Sequence, residues 1–456
     1  MALAGTEEKI MKSDEGKKRV SIVRYERPLD SVRKAVELCG GLDHLPRGAH
    51  VFIKPNIVFW TKAVPFPKWG VITTSRVVED MVILLKEHGV GKIIIGEGMV
   101  TFDPKDTETP AHAFESLGYS VLKKRYGVEY VNVHERPFEK RDLGDGISLN
   151  FNTDFLHSDF LVDLPVLKTH AQTVVSLGIK NIKGTIDINS RKKCHSADPE
   201  HDLNFMISRY LKVIPPSLSV LDGIYTTERG PGFDGKVRRS NVLVASPDML
   251  SADLVGAKIL GYDAGEVPYL VHATRLQDRP LDLSDVELSG ERLEDVASRH
   301  QYDFPYTEDG SLPLPMKRMG IEGLSYRKYD LTMCTYCSLV NGPVLVGIAQ
   351  AWKGEGWDDV EVLTGKTMKP TPGKKKTILL GKCMYQANKD NPYIQEMIAV
   401  KGCPPSPKKI VEAFQKAGIP LSPGLFEQMD MLPGFFMRKY EGRPEFDESF
   451  FKVEEG

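Results

Sequence analysis

Short apolar runs and amphipathic runs take turns along residues 19–300. Val20–Val23, His50–Ile53, Lys92–Ile95, Tyr130–Val133, Phe160–Asp163, Leu218–Leu221 and Val242–Ala245 are brief stretches rich in Val, Ile and Leu, which predicts buried strands. Ser31–Leu38, Ser75–His88, Asp202–Val213 and Met249–Leu260 space their apolar residues at helical intervals. Strands alternating with helices predict an α/β fold, a mainly parallel sheet with helices on both faces.

The strand ends carry the chemistry. His50–Ile53 runs into Lys54-Pro-Asn56, Ile93–Ile95 into Gly96-Glu97-Gly98, Phe160–Val162 into Asp163 and on to Lys168-Thr-His170, and Leu221 into Asp222-Gly223. Ligands of open parallel sheets bind beyond the carboxyl ends of the strands. One cleft at one edge of the sheet accounts for all these polar residues, although Gly and Pro singly do no more than make turns.

Past residue 300 the alternation loosens through Asp303-Phe-Pro, Thr307-Glu-Asp-Gly and Pro313-Leu-Pro, which reads as a linker over 301–330. A cysteine-bearing module is expected over 331–420, with a helix at Pro407–Ala417 stopped by Gly418. A Pro-, Phe- and Met-rich extension over 421–456 is expected to pack back across it, and residues 1–18 form a polar tail.

The module holds Cys334 and Cys337 as C-x-x-C, then Cys383, then Cys403 followed by proline. The intervals are 2, 45 and 19 residues. Structural zinc sites usually present two close pairs of ligands, and here there is one pair and two distant singles. That spacing suits an iron–sulfur cluster, read as [4Fe–4S], held where separate loops meet, with proline after the last ligand as such clusters often have. Four thiolates would occupy every iron and favour electron transfer; one open iron would act as a Lewis acid. Lys382 and Lys401 would offset thiolate charge. Cys39, in an apolar helix, reads as a small buried hydrophobe.

Lys168 to His201 is the most cationic stretch: three histidines (His170, His195, His201) among Lys168, Lys180, Lys183, Arg191, Lys192 and Lys193. It favours an anionic substrate, a carboxylate or phosphate. Cys194 beside His195 is a nucleophile, a metal ligand or neither. Gly230-Pro-Gly-Phe-Asp-Gly235 matches G-x-G-x-x-G, but a strand follows rather than a helix, so it reads as a tight loop. Gly365-Lys-Thr367 reads as a turn.

The bulk numbers exclude more than they assign. Of 456 residues, 41% are hydrophobic and 27% charged, with net charge −2. Nucleic acid and anionic membranes are poor partners for such a chain. No apolar run reaches the ~18 residues a membrane helix needs, and Met1–Lys18 lacks the apolar core of a secretory signal. The expected location is the cytoplasm.

The ordered segments Val51-Phe-Ile-Lys-Pro-Asn56, Gly96-Glu-Gly98, Leu164-Pro-Val-Leu-Lys-Thr-His170, Leu177-Gly-Ile-Lys-Asn-Ile-Lys-Gly184 and Glu228-Arg-Gly-Pro231 resemble the family catalogued as domain of unknown function 362, over roughly residues 20–275. The resemblance implies a following iron–sulfur module but no activity. Here the cysteines depart from tandem ferredoxin spacing. The chain is also distantly similar to the N-terminal domain of nickel-pincer lactate racemases through Ser75-Arg76-Val77 and the spacing of His170, Lys180 and His195. The racemase histidine after the glycine-containing strand end is absent from Gly96-Glu-Gly-Met-Val100, and Leu177-Gly178-Ile179 replaces a glycine pair. This similarity implies the location of a site, without nickel or racemisation.

The resulting expectation is an iron–sulfur oxidoreductase. Lys54, Asn56, Arg76, Glu97, Lys168 and Lys183 bind a small anionic substrate, with Arg76 as its anchor, and His170, Lys180 and His195 are catalytic. Cys334, Cys337, Cys383 and Cys403 hold the cluster. Two alternatives stay open: a non-redox isomerase or hydro-lyase using a second metal near His170 and His195, and a non-catalytic electron carrier of a larger complex. A redox partner protein and a homo-oligomer are compatible with all three.

Overall fold

The computed structural model describes residues 16–101, 103 and 105–454, so most of the expected polar tail lies outside the described residues. Lys18, placed in that tail, already begins the first strand.

The larger sheet contains β1 (Lys18–Arg24), β2 (His50–Pro55), β3 (Lys92–Glu97) and β4 (Glu129–Asn132). A separate hairpin follows, β5 (Phe138–Gly144) and β6 (Ile147–Asn152). The chain then returns to the sheet with β7 (Phe160–Leu164), β8 (Val166–His170), β9 (Val174–Ser176), β10 (Ser217–Glu228), β11 (Lys236–Ser246) and β12 (Val286–Gly290). The order is β12-β1-β11-β10-β7-β2-β3-β4, with β8 beside β10 and β9 beside β8. Only β11 against its neighbours and β9 against β8 run antiparallel, so the sheet is mainly parallel, as the alternation predicts. Pro165 separates β7 from β8; both lie along the long β10.

Alternation within strands builds two cores. Val51, Ile53, Ile93, Ile95 and Val162 face one side, against α1 (Asp30–Cys39) and α2 (Ser75–His88). Phe52, Ile94 and Leu161 face the other, against the helices Met249–Ile259 and Pro268–Leu276. The sequence places α2 at its observed bounds because both ends are marked: Thr74 accepts from the Val77 N–H, and Gly89 closes the helix at φ 90°. Cys39 is buried among α1 residues, its thiol donating to the Val36 carbonyl, as the apolar reading expects.

A second, all-parallel sheet follows: β13 (Leu324–Tyr326), β14 (Val360–Leu363), β15 (Lys376–Leu380) and β16 (Glu396–Val400), in that order. The supposed linker 301–330 therefore supplies an edge strand and the short helix Leu314–Arg318. Three residues are too few for a strand pattern to show in sequence. The helix expected at the end of the module is present at Pro407–Lys416.

The C-terminal extension corrects another expectation. Phe426 and Met429 join the core of the second sheet, but Tyr440, Phe446, Phe451 and Val453 pack against Trp69 and Tyr225 of the larger unit. Trp69 Nε1 donates to the Asp447 carbonyl at 3.3 Å and Tyr225 Oη to that of Glu445 at 3.0 Å. Trp69 and Tyr225 are thereby buried to 3% and 1% exposure, and the burial of apolar surface holds the extension there. No helix of the described residues is long and apolar enough to cross a membrane.

Candidate functional site: two strand-end clusters face each other

At the carboxyl edge of the larger sheet, β2, β3, β7 and β8 deliver Lys54, Asn56, Glu97, Asp163, Lys168 and His170 to one place. Lys54, fully buried, meets Glu97 at 2.9 Å and donates to the Pro55 carbonyl at 2.6 Å. Glu97 also receives the backbone N–H groups of Ile57 (2.7 Å) and Gly98 (2.8 Å). Lys168 donates to Asn56 Oδ1 at 2.6 Å and to the Val71 carbonyl at 2.7 Å. Asn181 links the set, accepting from Asn56 Nδ2 at 2.9 Å while donating to Asp163 Oδ1 at 2.8 Å. Gly184 lies so close that a methyl group there would run into Lys54 and Glu97.

After β9, the turns Gly178–Asn181 and Ile182–Thr185 add Lys180 and Lys183, and the helix Ile188–Cys194 leads to His195. Amines outnumber carboxylates, and burial acts on all of them. Desolvation first, and then Lys54, bring Lys168 down to about 7 against the pull of Glu97. Lys183 falls to about 8, again from desolvation, with Arg191 and Lys366 adding to it. Lys180 is pushed well below the ordinary lysine range by burial and by Lys183 and Lys168. Lys180 has no hydrogen-bond or ion-pair partner among the described residues.

The two catalytic-histidine candidates are held neutral. Burial and the surrounding lysines push both well below the usual histidine value. His170 Nδ1 accepts the Gln172 N–H at 3.1 Å, which leaves the ring proton on Nε2. His195 Nδ1 donates to the Leu331 carbonyl at 2.8 Å, so its Nε2 accepts from Lys183 at 2.7 Å. Both ring nitrogens of His195 are thus taken by protein partners. His201 is apart, paired with Asp198 at 2.8 Å. Cys194 is buried, 3.1 Å from the Tyr210 hydroxyl, and burial pushes its thiol up, so it is no activated nucleophile.

Arg76 does not join this group. It pairs with Glu79 at 3.1 Å one turn along α2, and its electrostatic neighbours are Tyr25 and Asp80. A different arginine lies at the site: Arg191, buried, donates to the carbonyls of Gly98 (2.7 Å) and Gly184 (3.0 Å). The sequence places Arg191 in the cationic stretch and Asn181 in a family-like segment without marking either out; Gln172 carries no signal at all.

The second sheet repeats the device with thiols. Cys334 caps the helix Thr335–Ala351 and Cys337 sits in its first turn, after β13. Cys383 opens the helix Lys382–Asn388 after β15, and Cys403 follows β16 just before the helix Pro407–Lys416. The Cys334 and Cys337 thiols share a hydrogen bond; with the Cys337 and Tyr336 N–H groups and Lys366 it brings Cys334 down to about 5 against burial. Cys383 and Cys403 are near enough to push the Cys337 thiol up. Cys334, at a helix N-cap, is the thiol held toward thiolate, whereas the hydrogen bond to Cys334 and burial push Cys337 up and burial pushes Cys383 up. Backbone bonds tie the loops, Gly381 N to the Val400 carbonyl (2.8 Å) and Lys382 N to that of Gly402 (3.0 Å). Lys382 and Lys366 act on Cys383, whereas Lys401 lies over the Tyr385 ring at 4.3 Å.

Among the described residues no three His, Cys, Asp or Glu side chains are drawn together around a single metal ion. All four thiols are nonetheless free and lie in one electrostatic neighbourhood. An all-thiol donor set of this kind fits an iron–sulfur cluster.

The two edges meet. Gln172 Nε2 donates to the carbonyls of Asp330 (2.8 Å) and Met333 (3.1 Å), in the loop leading to Cys334. Lys366, on the turn after β14, donates to the carbonyls of Lys192 (3.1 Å) and His195. Cys334 and Lys183 lie within electrostatic reach of each other. The Gly365 turn expected from sequence is present, and its lysine is a bridge between the sheets. A concavity of about 670 Å³ lined by Thr307, Asp309, Lys317 and Gly323 contains none of these residues.

Residues 51–258 match the family model described as Domain of unknown function (DUF362). The resemblance read from the ordered segments holds over that stretch. A thylakoid-associated protein of Synechocystis is 28% identical over 255 residues, covering 55% of this chain and 76% of that one. Among solved structures, the lactate racemase apoprotein of Thermoanaerobacterium thermosaccharolyticum aligns at TM-score 0.33 and 18% identity over 54% of this chain. A structural-genomics protein of Thermotoga maritima aligns at TM-score 0.26 and 11% identity over 56%. The chain spans 57% and 60% of the lengths of these two structures.

Proposed function

We propose that this protein is an iron–sulfur enzyme, with a [4Fe–4S] cluster on Cys334, Cys337, Cys383 and Cys403. It exchanges electrons with a small anionic substrate bound among Lys168, His170, Lys180 and Lys183. The supporting observation is the opposition of two strand-end clusters, one of buried amines and one of thiols, joined where Cys334 approaches Lys183. When bound, the cluster supplies or accepts single electrons.

The residues divide the remaining work. Lys180 has no partner to give up among the described residues, so an anion that favours its protonated form gains a full charge-assisted bond. Lys183, already held by His195, supplies the second positive charge. His170, neutral with its proton on Nε2, donates to a substrate oxygen or gives up that proton as an acid. Asn56 holds Lys168 and is itself held by Asn181, and Lys54 and Glu97 hold each other, so these four position Lys168 rather than touch the ligand.

A second reading draws on Lys180 and His170 together. Burial and the neighbouring positive groups lower the proton affinity of both, which suits a base removing a proton beside a carboxylate without redox change. It predicts turnover with no electron donor. A metal between His170 and His195 would have to displace Lys183 from His195.

The first test is iron, acid-labile sulfide and electron paramagnetic resonance on protein prepared without oxygen. About four irons per chain are expected, and Cys383→Ala should lose visible absorbance while keeping the circular dichroism of the larger unit. Colourless, iron-free protein from such a preparation sinks the reading.

A further inference from the structure

Cys334 is buried beside Lys183, but Cys383 and Cys403 are exposed. The thiol cluster therefore has an inner edge toward the amines and an outer edge toward solvent. The outer edge is rich in lysine, with Glu412 one turn along the last helix. Between Val362 and Lys389 there is no Asp or Glu, and none between Met397 and Val411. Lys382, Lys401, Lys408 and Lys409 are exposed on the loops and helix starts around the two outer thiols. None of the four pairs with a carboxylate among the described residues. The opposite end of the same sheet behaves differently: there Lys374 pairs with Asp359 at 2.5 Å and Lys375 with Asp358 at 2.6 Å.

Some exposed lysines elsewhere are paired with a carboxylate, as Lys62 is, and others such as Lys34 and Lys353 are not; what sets these four apart is their place beside two exposed thiols. Four unpaired ones around two exposed thiols form a patch of one sign, which attracts a partner of the other sign and orients it before contact. Free phosphate or nucleic acid would leave the position of the thiols unexplained. An electron carrier uses both features, the charge to dock and the thiol edge as its port.

We infer that the surface around Cys383 and Cys403, with Lys382, Lys401, Lys408 and Lys409, docks a small acidic electron-transfer protein. The inference rests on the iron–sulfur reading and names the partner of that site. In the step it serves, one electron leaves the reduced flavin or iron–sulfur centre of the carrier and enters the cluster. The carrier is oxidised by one electron, the cluster is reduced by one, and no bond forms or breaks.

The test uses whole, anaerobically prepared protein and reduced flavodoxin as the acidic probe. Stopped-flow absorbance follows cluster reduction, and titration calorimetry follows binding, each at low and at physiological ionic strength. Lys408→Glu/Lys409→Glu is expected to slow reduction and weaken binding on the order of tenfold at low salt. Reduction by dithionite should be unchanged. Lys374→Glu/Lys375→Glu alters net charge equally at the far end of the sheet and should leave both rates alone; the single variant Lys401→Glu covers a double variant that fails to fold. Salt-insensitive reduction, or equal effects of the two double variants with cluster absorbance intact, overturns the docking surface alone. Wild-type protein without absorbance brings down the iron–sulfur reading and this inference together.

Discussion

The two sheets solve the same architectural problem with opposite chemistry. Each is parallel at its working edge, and each gathers functional side chains from loops that follow different strands. The larger sheet collects amines and buries them; Lys54 and Lys168 are 0% and 1% exposed. The smaller collects thiols and leaves two of four at the surface. Buried amines among few carboxylates are electrostatically incomplete and wait for an anion, whereas thiols at helix starts wait for a metal. A parallel sheet thus supplies positions, and the residue type placed there decides what is missing.

The largest effect that would sharpen this contrast is on the completed charge pair of the amine cluster. Lys54→Met should destabilise the larger unit by about 3–5 kcal/mol, because Glu97 stays buried without its partner. Lys54→Met/Glu97→Leu should recover part of that. Urea unfolding followed by Trp fluorescence measures both, and equal stability of the single variant and wild type would mean the pair is not buried as described.

Next comes the incomplete position. Lys180→Met should weaken binding of oxalate about 10- to 100-fold, the worth of a hydrogen bond to a charged group. It should leave thermal stability nearly unchanged, since the half-buried Lys180 amine has no partner to lose among the described residues. Calorimetry and a melting curve separate the two.

A smaller effect concerns pH. Lys168 near 7 and Lys183 near 8 have folded values below those of the unfolded chain. Above these values the unfolded state binds more protons, so their penalty on folding is full at low pH and is relieved as pH rises from about 7 toward the ordinary lysine value. Anion binding needs the protons and should weaken over the same range. Melting temperature against pH, with and without oxalate, should therefore show opposite trends, and Lys183→Met should flatten both. Parallel trends would refute the assignment.

The smallest effect is expected at Arg76. Arg76→Ala should leave oxalate affinity within about twofold, because Arg76 answers Glu79 and not the amines. A large loss would restore it as the substrate anchor.

Much of the fold was legible because buried parallel strands are unbroken apolar runs: β2, β3 and β7 announce themselves, and the polar residues at their ends follow from strand polarity. Lys54, Asn56, Glu97, Lys168 and His170 follow from those strand ends, Lys180, Lys183 and His195 from the cationic stretch, and the structure brings them together. The hairpin β5–β6 carries Glu139, Lys140 and Arg141 and looks like a loop. β8, β9 and β13 are interrupted by Pro165 or too short to show a period. Asn181, Gln172 and Lys366 were missed because their importance lies in what they reach across space. Arg76 was misplaced for the same reason, since an arginine at a helix start has several partners within one turn and the sequence does not say which it takes.

The return of residues 440–453 to the larger sheet has a mechanical consequence. The polypeptide crosses between the units twice, outward before β13 and back after Met429, so the smaller unit is tethered at two points and cannot pivot about either. The last aromatic residues therefore do two things at once, filling the first core and holding the smaller unit against it.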